Sequence, residues 1–209
     1  MKQLILIFFL LTLNFELQTS NCFAQQPPQY TQYIFNNYLI NPAVGGSNDY
    51  IDVKLGYRTQ WVGFGAAPKT YFLSIHSPLR GAGREPKKFG TGNHHAIGGY
   101  AIKDQTGPID RMGAYLSYSY HVRLGYKLKA ALGFFAGALQ YRLDGGGLRT
   151  AEPDPDITSI TAITPDASVG GWLYSDKYFL GLSIQQLVPL NLGGTKNRLN
   201  QHYFITGGY

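Results

Sequence analysis

From Tyr50 onward the chain alternates between apolar and polar positions. Ile51, Val53, Leu55, Tyr57 and Trp61 share one parity, and Asp52, Lys54, Arg58 and Gln60 share the other. A period of two sustained over this length predicts a β-strand with one apolar and one polar face. The pattern returns at 111–123, where Met112, Ala114, Leu116, Tyr118, Tyr120 and Val122 interleave with Arg111, Tyr115, Ser117, Ser119, His121 and Arg123. Further strands are predicted at 69–77, 96–103, 126–143, 166–174, 178–186 and 202–209, which makes about eight with the first two. Apolar faces that carry aromatics, set against faces that are ionic or hydroxylated, suit lipid on one side and a wet interior on the other. The predicted fold is all-β, an antiparallel transmembrane β-barrel over 50–209.

The connections sharpen this picture. Leu124-Gly125 and Ser175-Asp176-Lys177 read as short turns, whereas 80–95, 144–165 and 188–201 are long, polar and rich in Gly or Pro. Short turns at one end and long loops at the other are an outer-membrane barrel's asymmetry.

The N-terminus sets the expected compartment. Lys2 precedes an apolar run from Leu4 to Leu13, and Cys22-Phe23-Ala24 precedes Gln25-Gln26. These are the n-region, h-region and cleavage site of a secretory signal peptide over 1–24. The apolar run is about half the ~20 residues that a spanning helix needs. Cleavage after Ala24 removes Cys22, the single cysteine of the sequence. Acylation of Cys22 as a lipoprotein is the less suited alternative, because Asn21 stands where a small residue is usual.

Composition and charge then exclude rather than assign. The sequence holds 16 Tyr, 12 Phe and 26 Gly with 14% charged residues, a profile of strands, turns and interfacial aromatics. Its net charge of +6 is unchanged by loss of Lys2 and Glu16. The basic residues are scattered, with Lys87-Lys88 an isolated adjacent pair, which argues against a nucleic-acid stripe. His76, His94, His95, His121 and His202 show no metal-ligand spacing and read as strand or loop histidines facing a lumen. Glu152-Pro153-Asp154-Pro155-Asp156 lacks the turn glycine of a calcium loop. Gly81-Ala82-Gly83 and Gly145-Gly146-Gly147 are not followed by the Lys-Ser/Thr of a phosphate cradle. Ser74 and His76 share a strand face without an acid nearby in sequence. No catalytic set, metal site or cofactor site is predicted, and the chain is expected not to be an enzyme.

Between the leader and the first strand lies an arm, 25–49, with Tyr30, Tyr33, Phe35 and Tyr38 leading into Asn41-Pro42 and Gly45-Gly46. Pro42 pushes Asn41 towards extended backbone, and the glycine pair permits a tight turn. The arm is expected to be ordered but not strand, bracing the barrel from inside or docking a partner. Tyr33, Phe35, Tyr38, Asn41 and Pro42 are its candidate partner-binding residues, since aromatics beside Asn recur at interfaces.

The run Gln32-Tyr33-Ile34-Phe35-Asn36-Asn37-Tyr38-Leu39-Ile40-Asn41-Pro42-Ala43-Val44-Gly45-Gly46 resembles the mature N-terminus of PorP/SprF proteins. Tyr57-Arg58-Thr59-Gln60-Trp61-Val62-Gly63, then Ala67-Pro68-Lys69-Thr70 and Ser74-Ile75-His76-Ser77-Pro78-Leu79, is similar to that family's next block, in the same order. Val44 and Gly46 depart from the family's usual residues. The resemblance implies a non-enzymatic outer-membrane component of type IX secretion and gliding, working with other type IX components and large adhesin cargo. It also implies that 202–209 is an internal strand of a larger barrel of about fourteen strands, the chain being a fragment or a natural short form. The alternative is a small, self-closed eight-stranded barrel acting as an anchor or adhesin.

Overall fold

The computed structural model describes residues 35–63, 66–79, 92–125, 127–145, 159–188 and 201–209. The strands are β1 (Asp52–Thr59), β2 (Lys69–Leu79), β3 (His94–Thr106), β4 (Ile109–Arg123), β5 (Lys129–Leu143), β6 (Ile160–Tyr174), β7 (Phe179–Gln185) and β8 (His202–Gly208). Each pairs antiparallel with its sequence neighbours in the order β1-β2-β3-β4-β5-β6-β7-β8, a meander that curls into a half-barrel. Among the described residues β1 and β8 do not pair with each other, so the sheet is open and the self-closed eight-stranded alternative finds no support in it. No helix among the described residues is long and apolar enough to cross a membrane.

All eight predicted strands form, and the differences are at their ends. The largest is at β6, which starts at Ile160 and runs through Pro165, a residue read from sequence as loop. Proline lacks the N–H that a central strand needs. The β6–β7 ladder covers only Val169 to Tyr174, so Pro165 has β5 on one side and no β7 partner on the other. The turn between β3 and β4 is only two residues, Gly107-Pro108, with Gly107 at φ +58°. A glycine at positive φ opens a hairpin of this kind.

The expected sorting of connections holds in part. The 144–159 and 186–201 links share an end with 60–68, and the turns 124–128 and 175–178 share the opposite end. The long 80–93 link departs from the scheme by falling with the short turns, and Gly107-Pro108 falls with the long loops.

The faces follow parity. On β4, Met112, Ala114, Leu116, Tyr118 and Tyr120 are exposed, while Tyr115, Ser117, Ser119 and His121 are buried. Leu55, Leu73, Leu132, Ile163 and Ile205 extend the exposed apolar face across the sheet, and Ser74, Ser168 and Ser183 extend the buried polar one. A water-soluble sheet would bury the first set and expose the second. Met112 to Val122 covers roughly 34 Å of strand at ~3.4 Å per residue, or about 26 Å of height at a 40° tilt, close to the ~25 Å apolar band of membrane barrels. One register row, Thr59, Lys69, Gln105, Asp110, Arg142 and Thr161, closes that band at the loop end with polar side chains.

Candidate functional site in the concave face

The arm occupies the concave face of the half-barrel. It enters through two single-turn 3-10 helices, Asn37–Leu39 and Pro42–Val44. As predicted from Pro42, Asn41 is extended (φ −141°, ψ 111°), and its side chain accepts the Ala43 N–H at 3.0 Å, capping the second turn. The stretch from Ile40 to Gly46 then crosses five strands over a single register row, Ser183 (β7), Gly170 (β6), Gly133 (β5), Ser119 (β4) and Ala96 (β3). Every residue of that row is small, and the reason is contact with the arm. A Cβ on Gly133 would stand 2.6 Å from Ala43 N and 2.7 Å from Pro42 C, and one on Gly170 would stand 2.2 Å from Asn41 Oδ1. Gly46 lies at φ +81° with Ala96 Cβ in the space where its own would be. Small residues on the strands and glycine at the turn let two backbones approach face to face.

Strand side chains hold the arm chiefly by its backbone. Gln185 Nε2 donates to Leu39 O at 2.9 Å and Ser183 Oγ to Ile40 O at 2.6 Å. Ser119 Oγ and His121 Nε2 both donate to Gly45 O, at 2.6 and 2.7 Å. His94 Nε2 donates to Gly46 O at 3.0 Å, and Gly46 N–H donates to His76 Nδ1 at 3.2 Å. In the other direction, Asn41 Nδ2 donates to Gly171 O at 3.0 Å and Asn36 Nδ2 to Ser74 Oγ at 2.9 Å.

Tyr38 is the arm's main side-chain anchor. It is fully buried, with Phe135 and Tyr100 set edge-on at 5.2 and 6.4 Å between ring centroids and His76 at 4.5 Å. Its hydroxyl hydrogen-bonds Ser117 Oγ. Gly98 makes room for that hydroxyl, which would lie 2.5 Å from a Cβ there. Burial pushes the Tyr38 hydroxyl up to about 12, and the bond to Ser117 opposes part of the shift. Beside it, Tyr115 Oη reaches across the bare Gly137 to donate to Asp166 Oδ2 at 2.9 Å.

The five residues singled out in the arm divide sharply. Tyr38, Asn41 and Pro42 are buried against the sheet, with Asn41 only 1% exposed. Phe35 is 75% exposed, three residues before the fully buried Tyr38. Tyr33 lies outside the described residues, as do the leader 1–24, the acidic loop at Glu152 to Asp156 and the Gly81-Ala82-Gly83 run. Of the histidines, His76 and His121 are buried in the concave face and His94 reaches the arm there. His95 is a correction to the expectation that all face the lumen. Strand parity turns it to the outer face, where Nδ1 meets Tyr118 Oη at 2.6 Å and Tyr120 packs at 4.8 Å. Ser74 and His76 do share a face, and both are occupied with the arm. The receiving residues on β3 to β7 were missed in the sequence, because only register brings Gly133 and Gly170 side by side.

A family model described as type IX secretion system membrane protein PorP/SprF matches residues 22–209. The chain belongs to the PorP/SprF family. It is therefore a membrane component of the type IX secretion system, and its outward-facing apolar sheet is the structural form of that membership. No curated protein and no solved structure matches it. The match spans both the arm and all eight strands, so the arm lodged in the concave face lies within what the PorP/SprF family model describes.

Proposed function

We propose that this chain is a non-enzymatic outer-membrane component of the type IX system that supports export or surface attachment of large adhesin-type cargo, including cargo used in gliding. Its leader directs it across the inner membrane and is removed, the outer face of the sheet meets outer-membrane lipid, and the arm docks other type IX components. The observation that carries the docking reading is the contrast within the arm, with Phe35 projecting while Tyr38 is sunk in the sheet. Tyr38, Asn41 and Pro42 contribute by fixing the arm, and Tyr33 and Phe35 supply the contact. An exposed aromatic on a rigidly held segment is what an interface hot spot requires, worth ~2 kcal/mol or more when buried by a partner.

The test is the Tyr33→Ala and Phe35→Ala double variant. Cargo at the cell surface is measured against heat-modifiable barrel in the membrane. The reading expects that ratio to fall while the amount of folded barrel is unchanged. An unchanged ratio leaves the arm a brace alone.

A further inference from the structure

Three histidines from three strands converge on the two-residue turn Gly45-Gly46, and their roles in holding it differ. His94 and His121 act as donors to carbonyls, and a donor keeps its proton whether the ring is neutral or charged. His76 is the acceptor. Its Nδ1 takes the Gly46 N–H at 3.2 Å, which requires that nitrogen to carry no proton and leaves the hydrogen on Nε2, 3.7 Å from Asp52 Oδ2.

From this geometry we propose that His76 is an acid-sensitive latch: proton uptake at Nδ1 sets two N–H groups against each other at Gly46 and releases the arm from the concave face. Burial of the ring opposes its charged form, and the Asp52 carboxylate offsets part of that cost. Around His76 stand Lys54, which pairs with Asp52 at 3.1 Å, Tyr38, tilted at 53° with 4.5 Å between ring centroids, and His121. Across the turn, Tyr174 Oη donates to His121 Nδ1 at 2.9 Å, with Lys129 5.5 Å over the Tyr174 ring and Asp49 on the arm nearby. His94 and His121 stack at 4.4 Å and 7°. Gly46 is packed against Ala96 at φ +81°, so only glycine fits the turn that the three histidines hold.

The sign is fixed by which form the held arm needs. The neutral His76 belongs to the latched state, so arm binding is complete at neutral pH and is lost as pH falls through the histidine's titration. One proton gives at most a tenfold change in the latched-to-released ratio per pH unit.

The experiment uses the full-length protein in phosphatidylcholine vesicles, with amide hydrogen exchange at pH 7.5 and pH 4.5 corrected for the intrinsic effect of pH on exchange. Protection at residues 38–46 is expected to fall on acidification by up to about tenfold per unit below the titration, while β4 and β5 amides hold. His76→Asn keeps an oxygen acceptor near the Nδ1 position but cannot titrate, and the acid response should disappear. His95→Gln, on the outer face and without an arm contact, should retain the response. Should His76→Asn fail to fold, Asp52→Asn takes its place and should move release to lower pH. Arm protection that is independent of pH in the unmodified protein overturns the proposal. So does a response that survives in His76→Asn, one lost in His95→Gln, or a midpoint unmoved by Asp52→Asn.

Discussion

Replacing Gly133 by alanine adds one carbon to the concave face and nothing to the lipid face. That carbon would stand 2.6 Å from Ala43 N, 2.7 Å from Pro42 C and 2.8 Å from Ala43 Cα. Ordinary contact begins near 3.4 Å, and all three atoms belong to backbone or its immediate neighbour, so no rotamer relieves the clash. β5 cannot retreat, being paired along its length to β4 and β6. The arm must lift by close to 1 Å, and bonds such as Ser119 Oγ to Gly45 O then lengthen out of range. Overpacking of this kind costs about 1 to 3 kcal/mol, which is roughly a 5- to 150-fold loss in the bound-to-released ratio of the arm. Gly171→Ala is the control, because its Cβ meets nothing closer than Leu132 Cδ2 at 3.7 Å. Limited proteolysis at aromatic residues in lipid-embedded protein reads the arm through Tyr38, and heat-modifiable migration reads the sheet. Faster arm cleavage in Gly133→Ala alone, with both sheets intact, is expected. Equal protection of the arm in the two variants would refute the groove.

Other consequences are quickly stated. Val53→Arg or Leu55→Arg, on the exposed face of β1, should cost about 2 to 4 kcal/mol in a folding assay if near the midplane, whereas Lys54→Gln should cost little; equal tolerance would reverse the face assignment. Tyr38 titrates at about 12 against an ordinary 10.0. Its neutral form therefore favours the bound arm fully below pH 10, and about 2 to 3 kcal/mol of that preference is lost as pH rises to 12. Arm proteolysis should accelerate over that window and Tyr38→Phe should abolish the dependence.

The strands were legible because a sheet with lipid on one side and polar contacts on the other enforces strict alternation, as along Met112 to Val122. Where a residue type pointed one way and the ladder another, the ladder prevailed. Pro165 read as loop but sits where β6 has no β7 neighbour, and His95 read as lumenal but lies one residue from His94 and so faces out. In the arm, the Asn41-Pro42 and Gly45-Gly46 signals forecast the local backbone correctly. They gave no indication of what receives it. Ala96, Ser119, Gly133, Gly170 and Ser183 are spread over 88 positions of chain and become one groove only through four successive register relations. Such a row has no local pattern, since each glycine alone resembles any turn or strand glycine.

Oxygen accessibility of nitroxide labels along β4 tests most directly that the apolar face of this sheet lies in lipid around a filled concave interior. A Cys22→Ser background removes the single cysteine, and labels are then placed one at a time from 112 to 121 in the membrane-reconstituted protein. Oxygen concentrates in hydrocarbon, so accessibility should peak at Met112, Ala114, Leu116, Tyr118 and Tyr120 and fall at Tyr115, Ser117, Ser119 and His121. Maxima at the odd positions, or a profile without period two, would contradict the account.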